Sequence, residues 1–174
     1  NKKLILFGSE DLKNRRKGGD ILSQVAALIE QSPDKDLYEI VLFGKGNVSL
    51  PLKAHCLGKV AEKDLKYVYS ACDVFVSLSR EDVGPMTVVE SLLCGTPVVG
   101  FPIGIIPDVI LPGTTGYIAK PFSAESIVKG ITSMTQSGDL AQRSTECVLT
   151  AREYADPDKA ARRHKALYER ILGH

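Results

Sequence analysis

Glu81, Asp82 and Glu90 fall within one short stretch, Ser79-Arg80-Glu81-Asp82-Val83-Gly84-Pro85-Met86-Thr87-Val88-Val89-Glu90-Ser91-Leu92-Leu93-Cys94-Gly95-Thr96-Pro97. Val74 to Leu78 before it reads as an apolar strand, Glu81 to Gly84 as a loop, and Met86 to Cys94 as a helix. Pro85 sits where a first-turn proline is tolerated, and Pro97 to Phe101 reads as the next strand. A helix that opens directly after a strand presents unpaired N–H groups and the positive end of its dipole, which favours a phosphate. The donors here would be the backbone N–H groups of Gly84, Met86 and Thr87, since Pro85 has none, with the Thr87 hydroxyl beside them. Glu90 lies roughly 8 Å further along the helix axis at 1.5 Å per residue. A carboxylate set back from an anion site suits the paired hydroxyls of a sugar. The plainer reading is that Glu81 and Asp82 only favour the helix N-terminus and Glu90 is a solvated helix residue.

A second feature is cationic. Between the first apolar strand and the first helix runs Ser9-Glu10-Asp11-Leu12-Lys13-Asn14-Arg15-Arg16-Lys17-Gly18-Gly19, which brings Lys13, Arg15, Arg16 and Lys17 toward the same sheet edge. Phosphates need such charge, although a solvated basic loop would read the same way.

The elements that must position these residues alternate strand and helix, which argues for a parallel sheet covered on both faces. Leu4 to Gly8 reads as strand one, Asp20 to Glu30 as a helix, Tyr38 to Phe43 as strand two and His55 to Leu57 as strand three. Glu62 to Ala71 reads as a helix, Val74 to Leu78 as strand four, Pro97 to Phe101 as strand five and Gly116 to Ala119 as strand six. Right-handed crossovers then give an α/β, Rossmann-like sheet of about six parallel strands, its ligand beyond the strand C-termini. Three helices close the chain, at Ser123 to Thr135, Asp139 to Tyr154 and Pro157 to Leu172, broken at Ser137-Gly138 and Asp156-Pro157. The last gathers Ala160, Ala161, His164, Leu167, Tyr168 and Ile171 on one face.

With 174 residues the chain fits a single domain. Twenty-two Lys and Arg against 21 Asp and Glu leave a net charge of +1, so no global field draws it to nucleic acid or an anionic membrane. No apolar run approaches the roughly 18 residues of a membrane span, and Asn1-Lys2-Lys3-Leu4 enters a strand without the pattern of a signal peptide. Cys56, Cys72, Cys94 and Cys147 form no CxxC pair, and His55, His164 and His174 show no ligand spacing. Neither a metal site nor a disulfide framework is expected, and a reducing cytoplasm is.

The segment from Ser79 to Phe101 resembles the donor-binding C-terminal half of retaining GT-B glycosyltransferases of family four (glycosyl transferases group 1). The subgroup motif reads roughly P-S-x-E-D-N-x-P-N-T-V-x-E-A-x-A-C-G-T-P-V-V-A-F. Ser79, Glu81, Asp82, Pro85, Thr87, Val88, Glu90, Cys94, Gly95, Thr96, Pro97, Val98, Val99 and Phe101 match it. Val83, Gly84 and Met86 depart from it. The resemblance implies a Glu-x7-Glu pair whose first acid faces the donor sugar and whose second bonds the ribose hydroxyls. Counting back eight from Glu90 lands on Asp82 and nine on Glu81, so either acid fills the first place. It also implies that Lys17 of Lys17-Gly18 contacts the leaving diphosphate. The arginine that the family often carries just after the strand-one glycine is absent; Arg15 and Arg16 are the candidates to replace it, with Arg16 placed first.

Phe43-Gly44-Lys45-Gly46 and Leu57-Gly58-Lys59-Val60 resemble the loops that line the base pocket, with the backbone of Lys59 and Val60 reading the base edge. Phe101-Pro102-Ile103-Gly104-Ile105-Ile106-Pro107-Asp108 resembles F-x-V-G-G-I-P-E, with Ile105 in place of the second glycine. Leu111-Pro112-Gly113-Thr114-Thr115-Gly116 matches a D-G-x-T-G turn. The implied activity is transfer of a hexose-type sugar from a UDP-, GDP- or ADP-sugar to a hydroxyl acceptor in polysaccharide or glycan assembly, with no obligatory metal. The chain would then be half of a two-domain enzyme, inactive alone, with the acceptor bound by an N-terminal domain that is absent. The full enzyme would be cytoplasmic or peripheral at the inner face of the membrane. The alternatives are half of a GT-B nucleotide-sugar 2-epimerase and a non-catalytic nucleotide-binding module.

Overall fold

The computed structural model describes residues 2–136 and 138–173, so Asn1, Ser137 and His174 lie outside it. Six strands form one parallel sheet: β1 Lys3–Asp11, β2 Tyr38–Lys45, β3 Ala54–Cys56, β4 Val74–Ser77, β5 Val98–Gly100 and β6 Gly116–Ile118. Their order across the sheet is β3-β2-β1-β4-β5-β6. The helices are α1 Gly19–Glu30, α2 Glu62–Ser70, α3 Met86–Leu93, α4 Ile106–Val109, α5 Ala124–Gln136, α6 Leu140–Ala155 and α7 Pro157–Leu172.

The central strands are apolar because both faces are covered, whereas the edge strand β3 is largely exposed. Ile5 and Phe7 of β1 join one core with Ile21, Leu22, Val25 and Ile29 of α1 and Ile127, Ile131 and Met134 of α5. Leu6, on the opposite face, joins Phe75, Val88 and Leu92, with Tyr69 of α2 and Cys147 and Ala151 of α6. Tyr69 packs edge-on between Phe43 and Phe75, at centroid distances of 5.9 and 5.8 Å, and so couples the ends of β2 and β4.

The structure shifts several boundaries. Strand one does not stop at Gly8: a break in register follows Gly8, and Asp11 pairs again with Lys45. Ser9 to Asp11 therefore belong to the strand and not to the cationic loop, whose core is a 3₁₀ turn at Arg15–Lys17. Pro85 occupies the cap position (φ −64°, ψ 97°) instead of the first turn, because the helix begins at Met86. The end of the Phe101–Asp108 motif enters a short helix, α4, with Ile106 and Val109 buried. Nothing is buried in α7: Leu167, Tyr168, Ile171 and Leu172 are all exposed.

No helix among the described residues is long and apolar enough to cross a membrane. No group of three or more His, Cys, Asp or Glu among them could hold a metal ion. The four thiols are free, with Cys56 exposed and Cys72 and Cys147 buried. Burial pushes the Cys72 and Cys147 thiols up to about 12. A thiol-exchange reagent at pH 8 is therefore expected to modify Cys56 in the folded chain while Cys72 and Cys147 react only after denaturation, as counted by released chromophore.

Candidate functional site

The strand order reverses direction between β1 and β4, and an open α/β sheet places its ligand crevice at that point. A cavity of about 260 Å³ opens there, lined by Gly8, Ser9, Arg16, Lys17, Ser79 and Thr87 among others. A neighbouring cleft of about 200 Å³ shares Ser9 and Glu10 with it and continues over Phe43, Gly44, Lys59 and Val60. The two form one trough across the C-terminal edge of β4, β1 and β2.

The α3 N-terminus points into the first cavity. No side chain caps it, so the first-turn N–H groups of Met86 and Thr87 have no intrahelical partner. Thr87 lines the cavity, while Met86 and Gly84 are exposed and are not among its lining residues.

Lys17 reaches this site because the 3₁₀ turn ends in Gly18, whose φ of +81° turns the chain into α1. Its Nζ lies 2.5 Å from Asp82 Oδ2. The pair is partly screened from solvent, with side-chain exposures of 28% for Lys17 and 14% for Asp82. Glu81 is exposed and offers only its carbonyl, which accepts from Arg16 Nη1 at 3.2 Å. Of the two acids that the spacing left open, Asp82 is the one directed at the cation.

Glu90 is held rather than solvated. The Tyr69 hydroxyl donates to Glu90 Oε2 at 2.9 Å. Burial, and then the Glu90 carboxylate beside it, push the Tyr69 phenol well up, so it stays a donor at any physiological pH. Thr96 Oγ1 donates to the Tyr69 carbonyl at 2.8 Å and Ser91 Oγ to the Thr96 carbonyl at 2.9 Å. The Cys94-Gly95-Thr96-Pro97 turn thereby fixes the helix that carries Glu90. Gly95 holds the turn at φ +79°, a backbone conformation that L side chains rarely adopt.

The two glycine loops of the second cleft are joined by backbone hydrogen bonds, Gly44 N–H to the Gly58 carbonyl and Leu57 N–H to the Leu42 carbonyl, each 2.8 Å. This places Lys59 and Val60 opposite Phe43. The trough thus brings together Lys17, Arg16, Thr87, Lys59 and Val60, with Asp82 joined to it through Lys17. Glu90 lines neither cleft, and Glu81 lies beside Arg15, Arg16 and Arg80 in a separate pocket. Tyr69, Asp20 and Arg80, which hold these groups in place, were not singled out in the sequence, because a supporting role leaves no motif.

A model of the family described as glycosyl transferases group 1 matches residues 1–147. A 77-residue stretch is 39% identical to the mannosylfructose-phosphate synthase of Agrobacterium fabrum, covering 44% of this chain and 16% of that protein. In fold, 99% of the chain superposes on 46% of the sucrose-phosphate synthase of Thermosynechococcus elongatus, with a TM-score of 0.77 at 21% identity. All of it superposes on 49% of Anabaena HepE, solved with UDP and glucose, with a TM-score of 0.75 at 19% identity. The chain spans about half the length of these solved proteins, and its fold is shared with GT-B glycosyltransferases.

Proposed function

The chain belongs to the glycosyl transferases group 1 family, and from that premise we propose that it is the donor-binding half of a retaining glycosyltransferase that moves a hexose-type sugar from a nucleoside diphosphate sugar to a hydroxyl acceptor. The observation that carries this reading is the continuous trough at the β1/β4 reversal, with the uncapped α3 N-terminus and Lys17 at one end and the Phe43, Lys59 and Val60 cleft at the other. The diphosphate would lie against Lys17, Arg16 and the Met86 and Thr87 amides, and the base in the second cleft. As the donor bond breaks, negative charge grows on the leaving diphosphate. Fixed amides and an ammonium stabilise that charge without reorganising. Asp82 would orient the donor sugar and Glu90 the ribose hydroxyls.

HepE, which shares the fold, was solved with UDP and glucose, and this favours UDP among the candidate nucleotides. The uncovered apolar face of α7 and the half-length match support a second domain in the full enzyme, which would bind the acceptor. Alone, the chain would bind donor weakly and transfer little. Polysaccharide or glycan assembly in the cytoplasm, with contact to the membrane through the missing half, is the setting this activity fits.

Calorimetric titration with UDP, GDP, ADP and their sugar conjugates tests the proposal. One nucleotide series is expected to bind, and Glu90→Ala to weaken it by roughly tenfold, the equivalent of one or two lost hydrogen bonds to a charged acceptor. Absence of binding by all three series, or binding indifferent to Glu90→Ala, would refute the site as assigned.

A further inference from the structure

Arg80 has no place in the donor contacts above, yet it is among the most engaged side chains near the trough. Its Nη1 and Nη2 donate to Oδ1 and Oδ2 of Asp20, both at 2.7 Å, in the two-pronged geometry that a planar guanidinium allows. Nη1 also donates to the Arg15 carbonyl at 2.7 Å, and the Arg80 backbone N–H donates to the Arg16 carbonyl at 2.8 Å. In return, Arg16 Nη1 donates to the Glu81 carbonyl. The Arg15–Lys17 turn is thus tied on both sides to the segment between β4 and α3, and through Asp20 to the first turn of α1.

The turn needs such support. It is a single 3₁₀ turn with no buried side chain, held internally by Lys17 N–H to the Asn14 carbonyl at 2.9 Å and Gly18 N–H to the Arg15 carbonyl at 3.1 Å. Segments with few buried contacts open at little free-energy cost, and a binding group that must be ordered on binding contributes less affinity. A lone exposed ion pair would add almost nothing. Here the pair is only a third exposed on each side and shares its donors with the carbonyls of the turn itself. The hydrogen bonds from Arg80 hold the Asp20 carboxyl below its ordinary value, so the pair remains charged well into the acid range.

We propose that Arg80, braced by Asp20, is a positioning residue that pre-sets the Arg15–Lys17 turn so that Arg16 and Lys17 meet a diphosphate without first being ordered. The inference rests on the donor-site reading and adds to it a residue that does not itself touch the donor.

Calorimetry of the 174-residue chain with UDP, GDP and ADP, each beside its nucleoside, separates the possibilities. Arg80→Ala and Asp20→Asn are each expected to weaken the bound diphosphate about tenfold and to leave the matching nucleoside within about twofold. In an Arg16→Ala/Lys17→Ala background, Arg80→Ala should then change diphosphate affinity less than about twofold. An unchanged diphosphate affinity in Arg80→Ala, an equal loss for the nucleoside, or an undiminished loss in that background would each overturn the proposal. Should the wild-type chain bind none of the three nucleotides, the donor-site reading fails, and the clamp is judged separately by amide exchange. The Lys17 and Gly18 amides would exchange about tenfold faster in both variants, whereas unchanged rates would refute the clamp.

Discussion

Lys17→Ala is expected to weaken nucleoside diphosphate binding by roughly ten- to a hundredfold, while Asp82→Asn strengthens it by about threefold. Hydrogen bonds to charged groups contribute about 1.5–3 kcal/mol, and each 1.4 kcal/mol is tenfold in affinity. Losing the Lys17 ammonium therefore removes one to two decades, and it leaves the Asp82 carboxylate unpaired beside the phosphates. The opposite sign for Asp82 follows from the 2.5 Å pair: in the free chain its carboxylate already occupies the ammonium that a diphosphate must claim. Abolishing that competition frees Lys17, although partial solvent screening of the pair keeps the gain near 0.7 kcal/mol. Nucleotide sugars should behave differently, because the proposed contact of Asp82 with the sugar is lost as the competition is relieved. Titration of both variants with diphosphate and with its sugar conjugate reads all of this. Parallel weakening of the diphosphate by the two substitutions would show the pair to be scaffold.

Gly18→Ala is expected to cost about 2–4 kcal/mol of folding stability, a fall of roughly 10 °C in Tm for a domain of this size. Two costs add. At φ +81° a Cβ is strained by about 1 kcal/mol, and this Cβ would lie 2.1 Å from the Leu78 carbonyl oxygen and 2.6 Å from Leu78 Cβ. Leu78, just past the end of β4, would have to move, at the typical overpacking cost of about 1–3 kcal/mol. Gly113 is the control. It shares the φ of +81° but has nothing within 4 Å of an added Cβ, so Gly113→Ala should cost only the conformational part, about 1 kcal/mol. Equal losses for the two variants in denaturant titrations would remove the close approach of the cationic turn to β4.

That close approach also marks where the reading from sequence alone ends. Strand and helix spans, the parallel sheet and the segments that meet at its edge were legible because each is written locally. Tyr38 to Phe43 and Val74 to Leu78 are apolar runs of strand length, Asp20 to Glu30 repeats its apolar residues at helical spacing, and glycines and prolines punctuate the joins. The ends were less legible. The register break after Gly8 lets β1 resume at Asp11, and α4 starts at Ile106 because Ile106 and Val109 find a core to enter. Both outcomes depend on neighbours that a local pattern does not contain.

By itself, the sequence determined which segments hold the candidate groups: the cationic turn ending in Lys17-Gly18, the acids at Glu81, Asp82 and Glu90, and the helix start between them. Tertiary structure alone decided how they are paired. It directs Asp82 rather than Glu81 at Lys17, across 65 positions of sequence. It sets Glu90 on the hydroxyl of Tyr69, 21 positions away, and spends Arg80 on Asp20, 60 positions away. The physical reason is the same in each case. Spacing along the chain sets where a side chain leaves the backbone, but a hydrogen bond formed within 3 Å between two loops depends on the backbone path of both, and those paths meet only when the sheet has assembled.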